Sequence, residues 1–292
     1  METVIPARLA TLGHPQRLAI FRLLMRRFPD RLPAGEIAAA LDLRPSTLSA
    51  YLAALVQAGL VTQERAGTLR RYGIDMDGVQ GTFDYLLRDC CRGRPGLCLD
   101  APRAAGQARR LSVLFVCTAN SARSIMAEAI LRDLADGRFA AASAGTSPAP
   151  GPHPLALELL ARRGHETAGL QSRHVDGLRG EGAEGFDFVI TVCDRAANED
   201  CPAWPGQPLA AHWGVPDPVA ASQGRVGFEQ AYDLLAARIR AFAALPFARL
   251  DPIALQHAAD EIGRLTHTES PHDSLCNQRP GPDRQAGAAS AS

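Results

Sequence analysis

Cys117 and Arg123 stand at the two ends of a short loop, with Thr118, Ala119, Asn120, Ser121 and Ala122 between them and Ser124 directly after. The apolar run Val113-Leu-Phe-Val116 leads in, and Ile125-Met-Ala-Glu-Ala-Ile-Leu131 leads out. That order reads as a buried strand, a tight loop and a helix. Backbone N–H groups at a helix start lack partners inside the helix, and the helix dipole is positive there. The amides of residues 118–123 can therefore cradle a tetrahedral oxyanion. Arg123 adds a planar fork of donors, and Cys117 sets a sulfur nucleophile at the floor. The same positive field is expected to lower the Cys117 pKa and hold it as a thiolate, with Ser124 donating a hydrogen bond to it.

The elements around this loop fall into two units. At 292 residues the chain has room for two domains. Residues 1–98 form the first, 99–110 have linker composition, 111–265 form the second, and 266–292 read as a disordered tail with little to bury. All 31 basic residues are arginine. Residues 1–110 hold 16 arginines against 10 carboxylates and the remainder 15 against 21, so the zero net charge hides halves of +6 and −6. A basic front half suits a polyanion partner. No apolar run approaches the ~20 residues that span a bilayer, and the N-terminus lacks a signal-peptide layout, so a cytoplasmic protein without a membrane partner is expected. Seven cysteines in a reducing compartment read as reactive or ligand thiols rather than structural disulfides.

In the second unit, strands are expected at 112–116, 139–143, 186–192 and 208–212, with helices at 123–136, 153–163, 225–244 and 249–265. This alternation predicts a three-layer α/β domain on a four-stranded parallel sheet. The first unit predicts a winged helix-turn-helix, mostly α. A helix over 12–24 precedes a short helix over 33–41, a turn at 42–45, and a second helix over 46–58 capped by Ser46 or a neighbour and ended by Gly59. A hairpin over 60–74 follows as the wing. Arg44, Ser46, Thr47 and Ser49 at the second helix, and Arg65, Arg70 and Arg71 on the wing, suit phosphate and base-edge contacts with operator DNA.

Residues 5–98 resemble the ArsR-type winged-helix metalloregulators, carried by Leu12-Gly-His-Pro-Gln-Arg-Leu18 and the motif that follows. The resemblance implies a homodimer that leaves DNA when a soft metal ion binds. The cysteine pair that many members carry on the first helix of the DNA motif is absent. Instead Cys90, Cys91 and Cys98 lie on a Gly/Pro-rich stretch, similar to a cysteine triplet of arsenite-sensing members. Three sulfurs suit trivalent arsenic, whereas zinc would want a fourth ligand.

The second unit resembles the low-molecular-weight tyrosine phosphatases and, within that fold, the thiol-dependent arsenate reductases. The likeness is carried by the 117–124 loop, Ser143-Ala-Gly-Thr146, Asp187-Phe-Val-Ile-Thr-Val-Cys193, Cys201-Pro-Ala-Trp-Pro-Gly206 and His212-Trp-Gly-Val-Pro-Asp217-Pro218. It implies Asp217 as general acid. After Pro218 comes Val219-Ala-Ala-Ser rather than the aromatic platform a phosphotyrosine needs. Arsenate reduction needs further thiols, which Cys193 and then Cys201 would supply through a disulfide relay. The polar stretch 194–200 between them is expected to be mobile. Position 122 is Ala where many such reductases carry a further cysteine. Position 119 is Ala where Gly is usual, and if that residue requires positive φ, alanine adds strain of about 1 kcal/mol.

The expected protein is thus an arsenite-responsive repressor fused to an arsenate reductase. It would hold no bound cofactor and draw on an external thiol reductant: thioredoxin, glutaredoxin or a low-molecular-weight thiol. The alternative is a tyrosine phosphatase fused to a helix-turn-helix regulator.

Overall fold

The computed structural model describes residues 4–67, 69–86, 90, 110–134, 137–179, 185–199, 204, 207–220 and 223–265. Cys91, Cys98, Cys201, the linker up to residue 109 and the tail from 266 lie outside them.

The first unit begins with α1 (Val4–Leu12), which the sequence reading did not foresee, and α2 (Pro15–Arg26). Pro15 opens α2 and the His14 ring accepts the Gln16 N–H. A two-residue strand β1 (Leu32–Pro33) precedes α3 (Ala34–Leu41), which Asp42 ends in the left-handed conformation. The next helix, α4 (Pro45–Gln57), starts on Pro45 after Arg44, with no side-chain cap. The expected Ser46 cap is therefore absent; proline's preset φ begins the helix, and Ser46 lies inside its first turn. Strands β2 (Val61–Ala66) and β3 (Leu69–Ile74) pair antiparallel as the wing, and β1 adds to the other edge of β3. A further helix, α5 (Met76–Tyr85), begins on an Asp75 cap. Ile20, Leu24, Ile37, Leu48, Leu52 and Leu55 fill the core between the helices.

The second unit is built on a four-stranded parallel sheet, order β5-β4-β6-β7. The strands are β4 (Leu111–Cys117), β5 (Phe139–Gly145), β6 (Phe188–Thr191) and β7 (Leu209–His212). Around it pack α6 (Arg123–Leu134), α7 (Pro154–Arg162), α8 (Asp194–Asn198), α9 (Arg225–Ala243) and α10 (Pro252–Gly263). Helix α6 is buried from Ser124 to Leu131, as its nearly uninterrupted apolar sequence requires. Phe139, Phe188, Trp213 and Phe247 gather around Phe242 of α9, with ring centroids 5.0–5.7 Å from it, and tie the sheet to α9. The Trp213 indole N–H donates to the Ala259 carbonyl and fixes α10.

Parallel strands end at the same edge of a sheet, and ligands of open α/β sheets bind there, where the chain switches direction. The chain runs outward from β4 to β5, then crosses back to β6 and β7. The ends of β4, β6 and β7 therefore converge, delivering Cys117, Cys193 and the 213–217 segment to one place.

Candidate active site

The loop after β4 is held from behind by Asn120. Asn120 alone in the loop has positive φ, +45°, a conformation asparagine tolerates better than most residues. Its side-chain amide donates to Ser124 Oγ (2.9 Å) and Ser143 Oγ (2.8 Å), and its amide oxygen accepts from the Arg173 N–H at 2.8 Å. Ser143 donates to Glu128, which also pairs with Arg132. Burial raises the Glu128 pKa against the opposing hydrogen bond from Ser143. Ala119 is not among the residues with positive φ. The strain expected there does not arise, because the left-handed position is one residue later. Gly145 is the glycine the loop needs: a Cβ there would lie 2.5 Å from the Thr118 carbonyl oxygen.

Cys117 is 2% exposed. Its sulfur lies 2.9 Å from Ser124 Oγ and accepts the Asn120 N–H at 3.1 Å. The thiol pKa is nonetheless raised, opposite to expectation. Desolvation is the largest cause, and the Ser124 hydrogen bond and the Arg123 charge offset it only in part, while Cys193 adds to the rise. Arg123 does pull the pKa down, but the depth at which the strand end buries the sulfur was not visible in the sequence.

Arg123 reaches across to the segment after β7. Its guanidinium donates to the Val215 carbonyl (3.1 Å) and to Asp217 Oδ2 (3.0 Å). Asp217 Oδ1 accepts the Val219 N–H at 3.0 Å, so the carboxylate is oriented from both sides. Loop and segment together line a cleft of about 580 Å³, with Thr118, Ala119, Arg123, Cys193, Asp194 and Asp217 on its walls.

Cys193, at the end of β6, is 1% exposed. Its sulfur lies 3.5 Å from Thr118 Oγ1 and accepts the Ala196 N–H at 3.4 Å, acting as the N-cap of α8. The stretch expected to be mobile thus contains a short helix. Asp194 pairs with the His212 ring at 3.2 Å, and that ring's other nitrogen meets Thr191 Oγ1 at 2.8 Å. The hydrogen bond to His212 is the main cause of a lowered Asp194 pKa. The sequence assigns neither Asp194 nor His212 a role, although Asp194 opens the polar 194–200 stretch and His212 opens a motif of the family likeness. Nor did Asp30 of the winged-helix unit, which lines the same cleft.

In the first unit Arg44, Ser46 and Ser49 are exposed at the start of α4, with Thr47 half-buried. Arg65 and Arg70 face each other across the wing, and Arg71 is exposed beside them. Cys90 is exposed; its expected partners Cys91 and Cys98, like Cys201, cannot be placed from the described residues.

Residues 112–251 match the low molecular weight phosphotyrosine protein phosphatase family and residues 12–64 a helix-turn-helix domain. An arsenate reductase of Shouchella clausii is 33% identical over 137 residues, 45% of this chain and 94% of the relative. A glutaredoxin arsenate reductase of Synechocystis is 33% identical over 106 residues, 36% of this chain and 77% of the relative. Arsenate reductase 1 of Bacillus cereus is 32% identical over 132 residues, 45% and 93% of the two chains. The chain is a fusion. Its second unit belongs to the low molecular weight phosphotyrosine protein phosphatase family, beside relatives named arsenate reductases, and a helix-turn-helix domain precedes it. Among the described residues no helix is long and apolar enough to cross a membrane.

Proposed function

We propose that the second unit reduces arsenate to arsenite and that the first is an arsenite-responsive DNA-binding repressor. The observation that carries the enzymatic half is the second buried thiol: Cys193 lies against Thr118 of the oxyanion loop, on the wall of the Cys117 cleft. The amides of residues 118–122 and Arg123 hold the oxyanion. Cys117 must lose its proton against the rise that burial imposes; as a thiolate supported by Ser124 and Arg123 it attacks arsenic and displaces one oxygen, which leaves as water with a proton from Asp217. Cys193 then attacks the Cys117 sulfur. An S–S bond forms, the S–As bond breaks with its electron pair on arsenic, and As(V) leaves as As(III). Cys201 attacks Cys193, frees Cys117 and leaves a disulfide that an external dithiol reduces. The Synechocystis relative's name points to glutaredoxin as one donor to try, alongside thioredoxin and low-molecular-weight thiols.

In the first unit Arg44, just before α4, the hydroxyls of Ser46, Thr47 and Ser49, and the wing arginines would contact DNA. Arg65 opposite Arg70 is a like-charge pair across a ladder, which costs stability on its own and which a phosphate would relieve. Arsenite held by Cys90, Cys91 and Cys98 would release the operator, so that product and inducer are one species. The unit would act as a homodimer.

Arsenate turnover by the full chain, assayed with each donor in turn, tests the reading. Cys193→Ser is expected to release no arsenite, because no thiol resolves the first adduct and arsenic stays bound to Cys117. Arsenate turnover left intact in Cys193→Ser would sink the relay, and efficient hydrolysis of an aryl phosphate, indifferent to Cys193→Ser, would instead favour the phosphatase reading.

A further inference from the structure

The helix that Cys193 caps is too short to hold itself. Helix α8 has five residues, and isolated helices below about 12–15 residues are marginal in water. The sulfur of Cys193 supplies its N-cap. Its C-terminal carbonyls are taken by the other unit: Arg26 Nε donates to the Ala197 carbonyl at 3.1 Å and its Nη2 to the Asn198 carbonyl at 3.3 Å. Cations and donors at a helix C-terminus satisfy its orphan carbonyls and its dipole.

The next residue, Arg27, is buried, its side chain 4% exposed. One guanidinium nitrogen donates to Asn198 Oδ1 (2.9 Å) and to Glu36 of its own unit (2.7 Å). The other lies 3.2 Å from Asp194 Oδ2 and 3.7 Å from Asp30 Oδ2. A buried guanidinium persists only with such partners. Asp30, Asp194 and His212 bring ligand atoms within 4.8 Å of one another, but Arg27 already supplies the positive charge between the two carboxylates, so the cluster reads as an ion-pair latch. Through Asp194 the latch continues to His212 and Thr191 at the ends of β7 and β6.

We propose that Arg26 and Arg27 of the winged-helix unit are positioning residues of the reductase site: they hold α8 and, through it, Cys193 at the attack position beside Cys117. The inference rests on the assignment of Cys193 as resolving thiol. The hydrogen bonds and ion pairs of the two arginines with described residues go to α8, Asp194, Asp30 and Glu36, so substrate binding is left to residues 118–123.

The test uses the full-length reduced protein and three variants, Arg27→Gln, Arg27→Lys and Arg26→Ala. Hydrogen exchange of amides 195–199 and the alkylation rate of Cys193 are measured beside steady-state arsenate turnover. Arg27→Gln is expected to raise exchange across α8 and Cys193 alkylation about tenfold, and to lower kcat about tenfold with KM within about twofold. Arg27→Lys, which keeps the charge and loses the fork, should fall between. Unchanged exchange in folded Arg27→Gln overturns the proposal, as does looser α8 with kcat unchanged or raised. If Arg27→Gln does not fold, Arg26→Ala decides by the same criteria, since it leaves the buried pairing of Arg27 in place. If wild-type protein turns over no arsenate, that result bears on the proposed activity, and exchange and alkylation still decide whether the winged-helix unit holds Cys193.

Discussion

Within the oxyanion loop, backbone conformation and not side-chain charge sets the demands at each position. Asn120 takes the left-handed φ and anchors the loop to Ser124, Ser143 and Arg173. Ala119→Gly is therefore expected to leave kcat/KM within about twofold, since no strain is relieved at a residue without positive φ. Gly145→Ala is expected to do the opposite. Its Cβ would meet backbone at 2.5 Å, and the loop must move. Displacing an oxyanion cradle by a fraction of an ångström lowers kcat/KM by about tenfold or more, measurable in the same arsenate assay. The Asn120 role had a sequence signal, a short polar side chain in a tight loop. Glu128 had one too, as an acid set within the apolar run 125–131, and it proves to be buried under the loop, held by Ser143 and Arg132.

At the scale of elements, α10 is fastened to the edge strand β7 by a buried acid. Gln256 bridges the Ala210 carbonyl and Asp260 Oδ1. Burial, only partly offset by the hydrogen bond from Gln256, lifts the Asp260 pKa from 3.8 to about 7. The folded chain then keeps a proton that the unfolded chain releases, so stability falls as pH rises from about 4 to about 7. Asp260→Asn keeps the acceptor oxygen and removes the titration. Its Tm relative to wild type should be higher at about pH 8 than at about pH 4, read by thermal melts at both. A Tm difference that does not vary with pH would discard this account of α10. The periodicity of 249–265 announced the helix itself. That its acid would lie inside was not legible, because Asp-Glu in a helix end normally faces water.

Across the whole molecule, basic and acidic halves meet at the reactive helix. The front half's excess of six positive charges predicts salt-sensitive binding to duplex DNA. Replacing the exposed wing residue Arg70 by Gln should flatten the slope of log K against log salt by about 0.9 per lost phosphate contact, alike for every sequence. A fluorescence titration over a salt series measures it, and an unaltered slope would take Arg70 off the DNA face. Coupling is reciprocal: if Arg26 and Arg27 steady Cys193, the redox state of Cys193 must bear on how the winged helix is held.

Local sequence determined the fold of each half. Alternating strands and helices, Pro15 and Pro45 at helix starts and the Cys117–Ser124 spacing are local signals, and local hydrogen bonding obeys them. The strand bounds differ by only a residue or two at most ends, while α1, α5, α8 and β1 went unforeseen because short or weakly amphipathic segments carry little periodicity. What only the tertiary structure decided is proximity and depth. Burial turned the Cys117 pKa upward against its positive field. The parallel sheet brought Cys193 to the loop, and the docking of α2 on α8 placed Arg27 beside Asp194, 167 positions on in the sequence. Desolvation and long-range ion pairing depend on what surrounds a group in space, and spacing along a chain does not record that.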